Sequence, residues 1–365
     1  MIGSPIGIAA RDLATSGGRV ALELARRLAP NGYEPRLAVH RLGNEPTDAP
    51  DGRPVEVATV GEWPFSSWFR AYSFDRSARA RLRRRDAQLI HGFGELIVQD
   101  LLTLPVLERV RRRHAPGLPP PSAGVGYLRR LQLGPGGARA VTVFSEMARR
   151  DLAEAYEVPL ASIRAIPPGV DARRFRPDER GPSRFTLFRA SGWTDHYKIV
   201  LAVVTDDPAT QDFSLLARAV DLLADRVPSA LCVVGRADFS KNAAVQQLAR
   251  RGRFFHVPVT QHAEKYLVAA DVTALPAHYE EFGLPVLESL ASGTPVVVSG
   301  RTGAKEVLSN GTDGIVVDDM QDPNVWAMAL ERAWALDRSV CRRSAEARPW
   351  DAHVAAVVQI YRGLM

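Results

Sequence analysis

Short apolar runs alternate with stretches of helical periodicity along most of the chain, and this alternation restricts the possible folds more than any other feature. Ile6 to Ala10 is apolar; a small-residue turn, Ala14 to Gly18, then leads into the periodic stretch Val20 to Leu28. The order predicts strand, glycine turn and helix, with Asn31-Gly32 as a C-cap signal and Arg36 to Val39 extended again. Val55 to Val60, Ala87 to Ile90 and Ala140 to Phe144 predict further strands, Ser77 to Arg85 a basic helix, and Glu146 to Tyr156 a helix capped by Ser145. Parallel neighbours need a crossover helix, so such alternation implies a doubly wound α/β architecture with parallel sheets.

At 365 residues the chain is too long for one core, and the pattern starts afresh in its second half. There Ile199 to Val204, Ala230 to Gly235, Phe254 to Val257, Val272 to Leu275 and Pro295 to Val298 read as strands. Phe213 to Arg226, Asn242 to Arg251 and Ala263 to Ala269 read as helices. Between the halves, the Pro-rich polar stretch Arg173 to Ser183 predicts an interdomain linker. Ala115 to Gly124, with four prolines, predicts a loop with His114 solvated at its edge.

The composition, 46% hydrophobic and 24% charged, excludes a disordered chain. The opening residues carry no basic n-region, and no apolar run approaches the roughly 18 to 20 residues of a membrane span, so a cytoplasmic protein is expected. Cys232 and Cys341 suggest free thiols rather than a disulfide framework. His256, His262, His278 and His353 share no ligand spacing, so no metal site is expected.

Net charge is +6, and residues 1 to 180 hold 28 Arg and no Lys against 20 acidic residues, or +8, which leaves −2 for the rest. Arginines crowd at 79, 81, 83, 84 and 85, and again at 109, 111, 112, 113, 129 and 130. Such clusters suit an anionic partner, such as a phospholipid surface at which the protein sits peripherally, or else form solvated helix faces. No aromatic residues interleave with them as stacking platforms, so nucleic acid is not expected.

The most informative stretch runs from Ala277 to Val297. It reads as a loop feeding a helix whose first turn holds Pro285 and Glu288, ended by Gly293 with a proline two residues on. A helix start offers N–H groups and a positive dipole end, and Gly283 permits close approach to the backbone, so an anion should bind there. Glu280 and Glu288 flank this start, placed to accept bonds from the paired hydroxyls of a sugar or ribose. As helix-start carboxylates favoured by the dipole they also have a purely structural explanation.

Glu280, Phe282-Gly283-Leu284 and Glu288 together resemble the Glu-x7-Glu signature of the retaining GT-B glycosyltransferases of family 4, although the family usually has Gly where this chain has Glu281. Further segments resemble the family in order: Ser16-Gly17-Gly18-Arg19 to Leu28; Leu89 to Gly94 with His91; Phe144 to Leu152; Ile166 to Asp171; Gly303 to Val307; Asn310 to Gly314; and a terminal helix, Trp350 to Tyr361. Within the family the layout is most similar to lipopolysaccharide-core glucosyltransferases.

The resemblance implies a GT-B fold of two Rossmann-like α/β/α domains facing across a cleft. Residues 1–180 would form the acceptor side, 181–345 the donor domain, and 346–365 a helix crossing back. It implies transfer of a hexose, with retention, from a nucleotide-diphosphate sugar as co-substrate to a cell-envelope glycan, lipid or small-molecule acceptor, without a separate cofactor. Glu280 and His91 would be the catalytic positions; Gly17, Gly18, Phe282, Gly283, Leu284 and Glu288 would hold the donor, with Glu288 on the ribose and Glu280 on the sugar hydroxyls.

One departure stands out. Where the family supplies an Arg and a Lys for the diphosphate, this chain has Asp206 and Gln211, with Thr205 in place of a Gly. Three readings follow: replacement cations among Arg189, Lys198, Arg236, Arg301 and Lys305; a divalent metal on Asp206 and Asp207; or a sugar-nucleotide or glycan binding protein that no longer catalyses transfer.

Overall fold

The computed structural model describes residues 3–43, 47–64, 66–83, 86–115, 117–258 and 260–365, so Arg84, Arg85 and Pro116 lie outside the described residues. The chain forms two compact units, Met1–Pro168 with Trp350–Met365, and Gly169–Pro349.

In the first unit the strands are β1 (Ser4–Ala9), β2 (Tyr33–Val39), β3 (Glu56–Thr59), β4 (Leu89–Gly92), β5 (Leu101–Thr103), β6 (Ala140–Val143) and β7 (Ile163–Ala165). They form a parallel sheet in the order β3-β2-β1-β4-β5-β6-β7. The winding reverses between β1 and β4, which opens a crevice beyond their C-terminal ends, where ligands of such sheets bind. The helix Ser67–Arg83 buries Phe74, Ala78 and Leu82 against Ala9, Ala38 and Ile90 of the sheet. The last helix, Trp350–Leu364, belongs to this unit: Tyr361 is fully buried, edge-on to Tyr33 at 5.8 Å between ring centroids.

The second unit contains β8 (Lys198–Val203), β9 (Ser229–Val234), β10 (Phe254–Val257), β11 (Val272–Leu275), β12 (Val296–Ser299) and β13 (Gly314–Val317). All pair in parallel, in the order β10-β9-β8-β11-β12-β13, with the reversal between β8 and β11. Every residue of β9, β11 and β12 is buried, as expected of strands covered on both faces. The helices Phe213–Ala224 and Pro323–Ala333 close one face, with Leu216, Val220 and Trp326 in the core.

Several expectations are corrected. Ala14 to Gly18 is not wholly a turn: the helix starts at Ser16, capped by the Thr15 hydroxyl, which accepts from Gly18 N–H at 3.1 Å. Arg173 to Ser183 is not a free linker. A 3-10 turn, Pro177–Glu179, leads into the helix Arg180–Ser191, and Arg180 and Arg184 clamp Asp271 at 2.9 and 3.0 Å. Arg342 reaches the backbone carbonyls of Ala172 and Phe175, so the residues after 168 are tied to the second unit well before position 180. His114 ends a helix, Glu108–His114, rather than sitting on a loop edge, and the predicted loop closes at the helix Ala123–Leu133, capped by Ser122.

Candidate functional site

Beyond the C-terminal ends of β8 and β11, the segment 276–284 folds over the crevice of the second unit. His278 N–H donates to Thr210 O at 2.7 Å and Asp212 N–H to Pro276 O at 2.8 Å, which lace it to the loop after β8. On its other side Glu280 N–H donates to Arg301 O at 3.0 Å, and the carbonyls of Glu280 and Phe282 accept from Gly303 and Ala304 N–H at 2.9 and 2.8 Å. The segment is therefore held from both flanks by backbone bonds, which fixes its shape independently of any side chain.

It ends at Gly283, the N-cap of the helix Leu284–Ala291, with φ 95 and ψ 71 and no side-chain cap. Only glycine adopts this conformation without strain, and an added Cβ would stand 2.7 Å from Leu275 Cδ2. Pro285, in the first helical turn, removes one N–H donor that the turn could not satisfy internally. Glu280, Phe282, Leu284 and Glu288 are all buried, at 3, 3, 4 and 6% exposure. Glu280, Phe282, Gly283 and Leu284 thus lie in one backbone-held segment at a switch point, whereas Glu288 follows as the fifth residue of the helix, past the first turn in which the sequence places it.

The loop after β8 explains the departure at 205–211. Gln211 donates from Nε2 to Val203 O at 3.0 Å and accepts from Thr205 N–H at 3.3 Å, so its side chain staples the loop to the strand. The Asp207 carboxylate caps the turn Pro208–Thr210 through Ala209 N–H at 2.9 Å, as a turn residue does. Among the suggested replacement cations, Lys198 starts β8, at the sheet edge opposite the seat, and lies over Trp334. Arg236 and Arg301, by contrast, follow the C-terminal ends of β9 and β12 and are exposed; Lys305 donates to Gly300 O.

The other expected residues lie in the first unit. His91 is a core residue, not a cleft residue. It is fully buried, Nδ1 bonded to Tyr361 Oη at 2.8 Å and Nε2 to Thr103 Oγ1 at 2.7 Å, with Phe93 stacked on it at 4.6 Å. Burial pushes its pKa down to about 3, so the ring stays neutral, and with both nitrogens committed it has none to offer a substrate. Gly17 and Gly18 occupy the first turn of the helix Ser16–Arg27. A Cβ on Gly18 would stand 2.0 Å from Asp12 O, and one on Gly17 2.6 Å from Pro105 Cγ, so close packing alone requires both glycines.

Most clustered arginines are also committed internally. Arg79 pairs with Asp75 and Arg113 with Glu154, Arg109 and Arg112 donate to Ala155 and Leu118 carbonyls, and Arg111 and Arg129 are buried. Arg81, Arg83 and Arg130 remain exposed.

Two sheets of this kind, each with its polar loops gathered at a switch point and one bearing a glycine-capped helix start between two buried carboxyls, define the GT-B glycosyltransferase class. The fold of WaaG, a glycosyltransferase involved in lipopolysaccharide biosynthesis, matches with a TM-score of 0.76 at 18% identity, over 97% of this chain and 99% of that one. A sucrose-phosphate synthase from Thermosynechococcus elongatus gives 0.78 at 20%, over 99% of both. The chain belongs to glycosyltransferase family 4: the model described as "Glycosyltransferase Family 4" matches residues 17–174, and that described as "Glycosyl transferases group 1" matches 198–335. Among curated proteins, D-inositol 3-phosphate glycosyltransferases are similar. The one from Thermobispora bispora is 29% identical over 58% of this chain and 53% of its own length, and that of Thermomonospora curvata 31% over 67% and 61%. The chain thus spans little more than half the length of the first of these relatives.

Proposed function

We propose that this chain transfers a hexose, with retention, from a nucleotide-diphosphate sugar to a hydroxyl of a glycan, lipid or small polyol. The observation that carries the reading is the seat at Glu280 to Glu288, where a left-handed glycine opens a helix between two buried carboxyls. Glu288 takes the ribose hydroxyls, Glu280 those of the sugar, and the amides at Phe282, Gly283 and Leu284 face charge that develops on the sugar and the phosphate. The bond from the anomeric carbon to the phosphate oxygen breaks, and a bond to the acceptor oxygen forms on the same face. The acceptor proton passes to the departing phosphate, so no enzyme nucleophile is needed.

Two comparisons support the donor and acceptor classes. HepE of Anabaena, similar in fold at a TM-score of 0.74 and 14% identity, was crystallised in complex with UDP-glucose. The curated relatives are named for D-inositol 3-phosphate, which makes a phosphorylated cyclitol the first acceptor to try. Peripheral docking on an anionic surface is supported by exposed Trp63, Phe69, Tyr72 and Tyr127 in the same unit as the exposed arginines. Among the described residues no helix is long and apolar enough to cross a membrane.

The test is a thermal-stability and calorimetric screen of UDP, GDP, ADP and their sugars, followed by product detection with D-inositol 3-phosphate. A nucleotide at 100 times its Kd should stabilise the chain by about 2.7 kcal/mol. Turnover supports the transferase. Binding without turnover marks a sugar-nucleotide binding protein, and failure of every nucleotide removes the donor site.

A further inference from the structure

The first unit has its own crevice, at the C-terminal ends of β1 and β4, and it holds a polar cluster that the donor seat does not use. Arg11, two residues beyond β1, donates from Nε and Nη2 to the two carboxylate oxygens of Glu62 at 2.6 and 2.8 Å. Arg129, buried on the helix Ala123–Leu133, donates to Glu108 Oε1, Gly94 O and Gln132 Oε1, each at 2.6 Å. Glu95 follows Gly94 in the loop after β4. Burial raises its carboxyl to about 7, although the positive charges of Arg129 and Arg11 act in the opposite direction. Its Oε2 is shut off from solvent and has no hydrogen-bond partner, although Glu95 as a whole is only half-buried.

That arrangement is unusual. Buried carboxyl oxygens are nearly always bonded, and the two cations that could bond this one are each engaged with another carboxylate. Nor does the reading of the chain as a transferase give Glu95 any part in holding a donor. We propose that Glu95 is the acceptor-side carboxyl, which binds a hydroxyl of a sugar or cyclitol at the β1–β4 switch point; this rests on the transferase reading above.

Charge selects the ligand class. An anionic group would find both guanidiniums committed and two carboxyls close by, and a cation would meet Arg11 and Arg129. A hydroxyl suits either protonation state, since it donates to the ionised carboxylate and accepts from the protonated acid. Any phosphate on the acceptor would then lie away from Glu95.

Carbon-13 NMR of the full chain labelled at glutamate carboxyls provides the test, with the Glu95 signal identified by its loss in Glu95→Gln, or in Glu95→Asp should the amide fail to fold. The probes are myo-inositol, D-inositol 3-phosphate, glucose, mannose and galactose, with UDP, GDP and ADP added separately. At least one polyol should move the Glu95 signal, and the substitution should weaken that polyol about tenfold, one charged hydrogen bond's worth, with nucleotide affinity and unfolding midpoint unchanged. A signal unmoved by every polyol, or equal polyol affinity in the variant, overturns the proposal. Loss of all nucleotide binding in the wild-type chain would instead sink the donor reading.

Discussion

Gly283→Ala tests whether the donor seat is a backbone construction. The position has φ 95, and a non-glycine residue in the left-handed region costs about 1–2 kcal/mol. The new methyl group would also stand 2.7 Å from Leu275 Cδ2, 3.3 Å from Thr302 Cγ2 and 3.4 Å from Glu280 Cγ. All three neighbours are buried, so relief requires core movement, and overpacking of this kind costs about 1–3 kcal/mol. Gly311 provides the control: its φ is 83, and no atom lies within 4 Å of the Cβ it lacks, so Gly311→Ala carries the backbone cost alone. Both substitutions fall in the second unit, and chemical unfolding followed by a probe of that unit should show Gly283→Ala less stable than Gly311→Ala by about 1–3 kcal/mol. For a unit of this size that is at least about 2 °C in Tm. Equal losses in the two variants would refute the claim that the seat is closed around Gly283.

Glu288→Ala should abolish nucleotide binding in calorimetry, while Asp206→Arg should strengthen it; unchanged affinity in both would contradict the placement of the site. His91 and His353 are held neutral by burial, with pKa values pushed down to about 3 and about 4 from 6.5. Since the unfolded chain binds these protons first, stability is full above pH 6.5 and falls as pH drops toward those values, by about 2 kcal/mol per histidine at pH 5. Denaturant midpoints of the first unit across that window, with His91→Gln flattening the slope, check this. Cys232 and Cys341 are buried, with thiols pushed up to about 12, so iodoacetamide should label both only in denaturant.

What was legible in the sequence was local. Phe254–Val257, Ala263–Ala269 and Glu146–Tyr156 have the bounds that periodicity and the Ser145 cap predict, because each is decided by residues within a turn or two. The helix Arg180–Ser191 was hidden by Gly181 and Pro182, which read as linker; Pro is tolerated in a first turn, and the ion pairs to Asp271, some 90 residues away in sequence, hold the helix in place. His91 was misassigned for the same reason: its partner Tyr361 lies 270 residues on, and no local pattern separates a core histidine from a ligand-facing one. Glu95 carried no motif either. Its only signal was position, just past a glycine in the loop after a strand beside the switch point.

The loop before the helix Phe213–Ala224 is fastened to its strand by an uncharged side chain. Gln211 spends both ends of its amide on the loop that the frame requires, bridging Val203 O and Thr205 N–H, and a lysine there could donate to Val203 O but could not accept from Thr205. The glutamine thus holds the loop as a neutral side chain. The Glu280–Thr302 pairing involves neither Asp206 nor Gln211, so the shape of the seat does not depend on them. A diphosphate bound there must draw its compensation from the C-terminal edge itself, where Arg236 and Arg301 are exposed, and its affinity should fall more steeply with salt than in a site whose cations are buried.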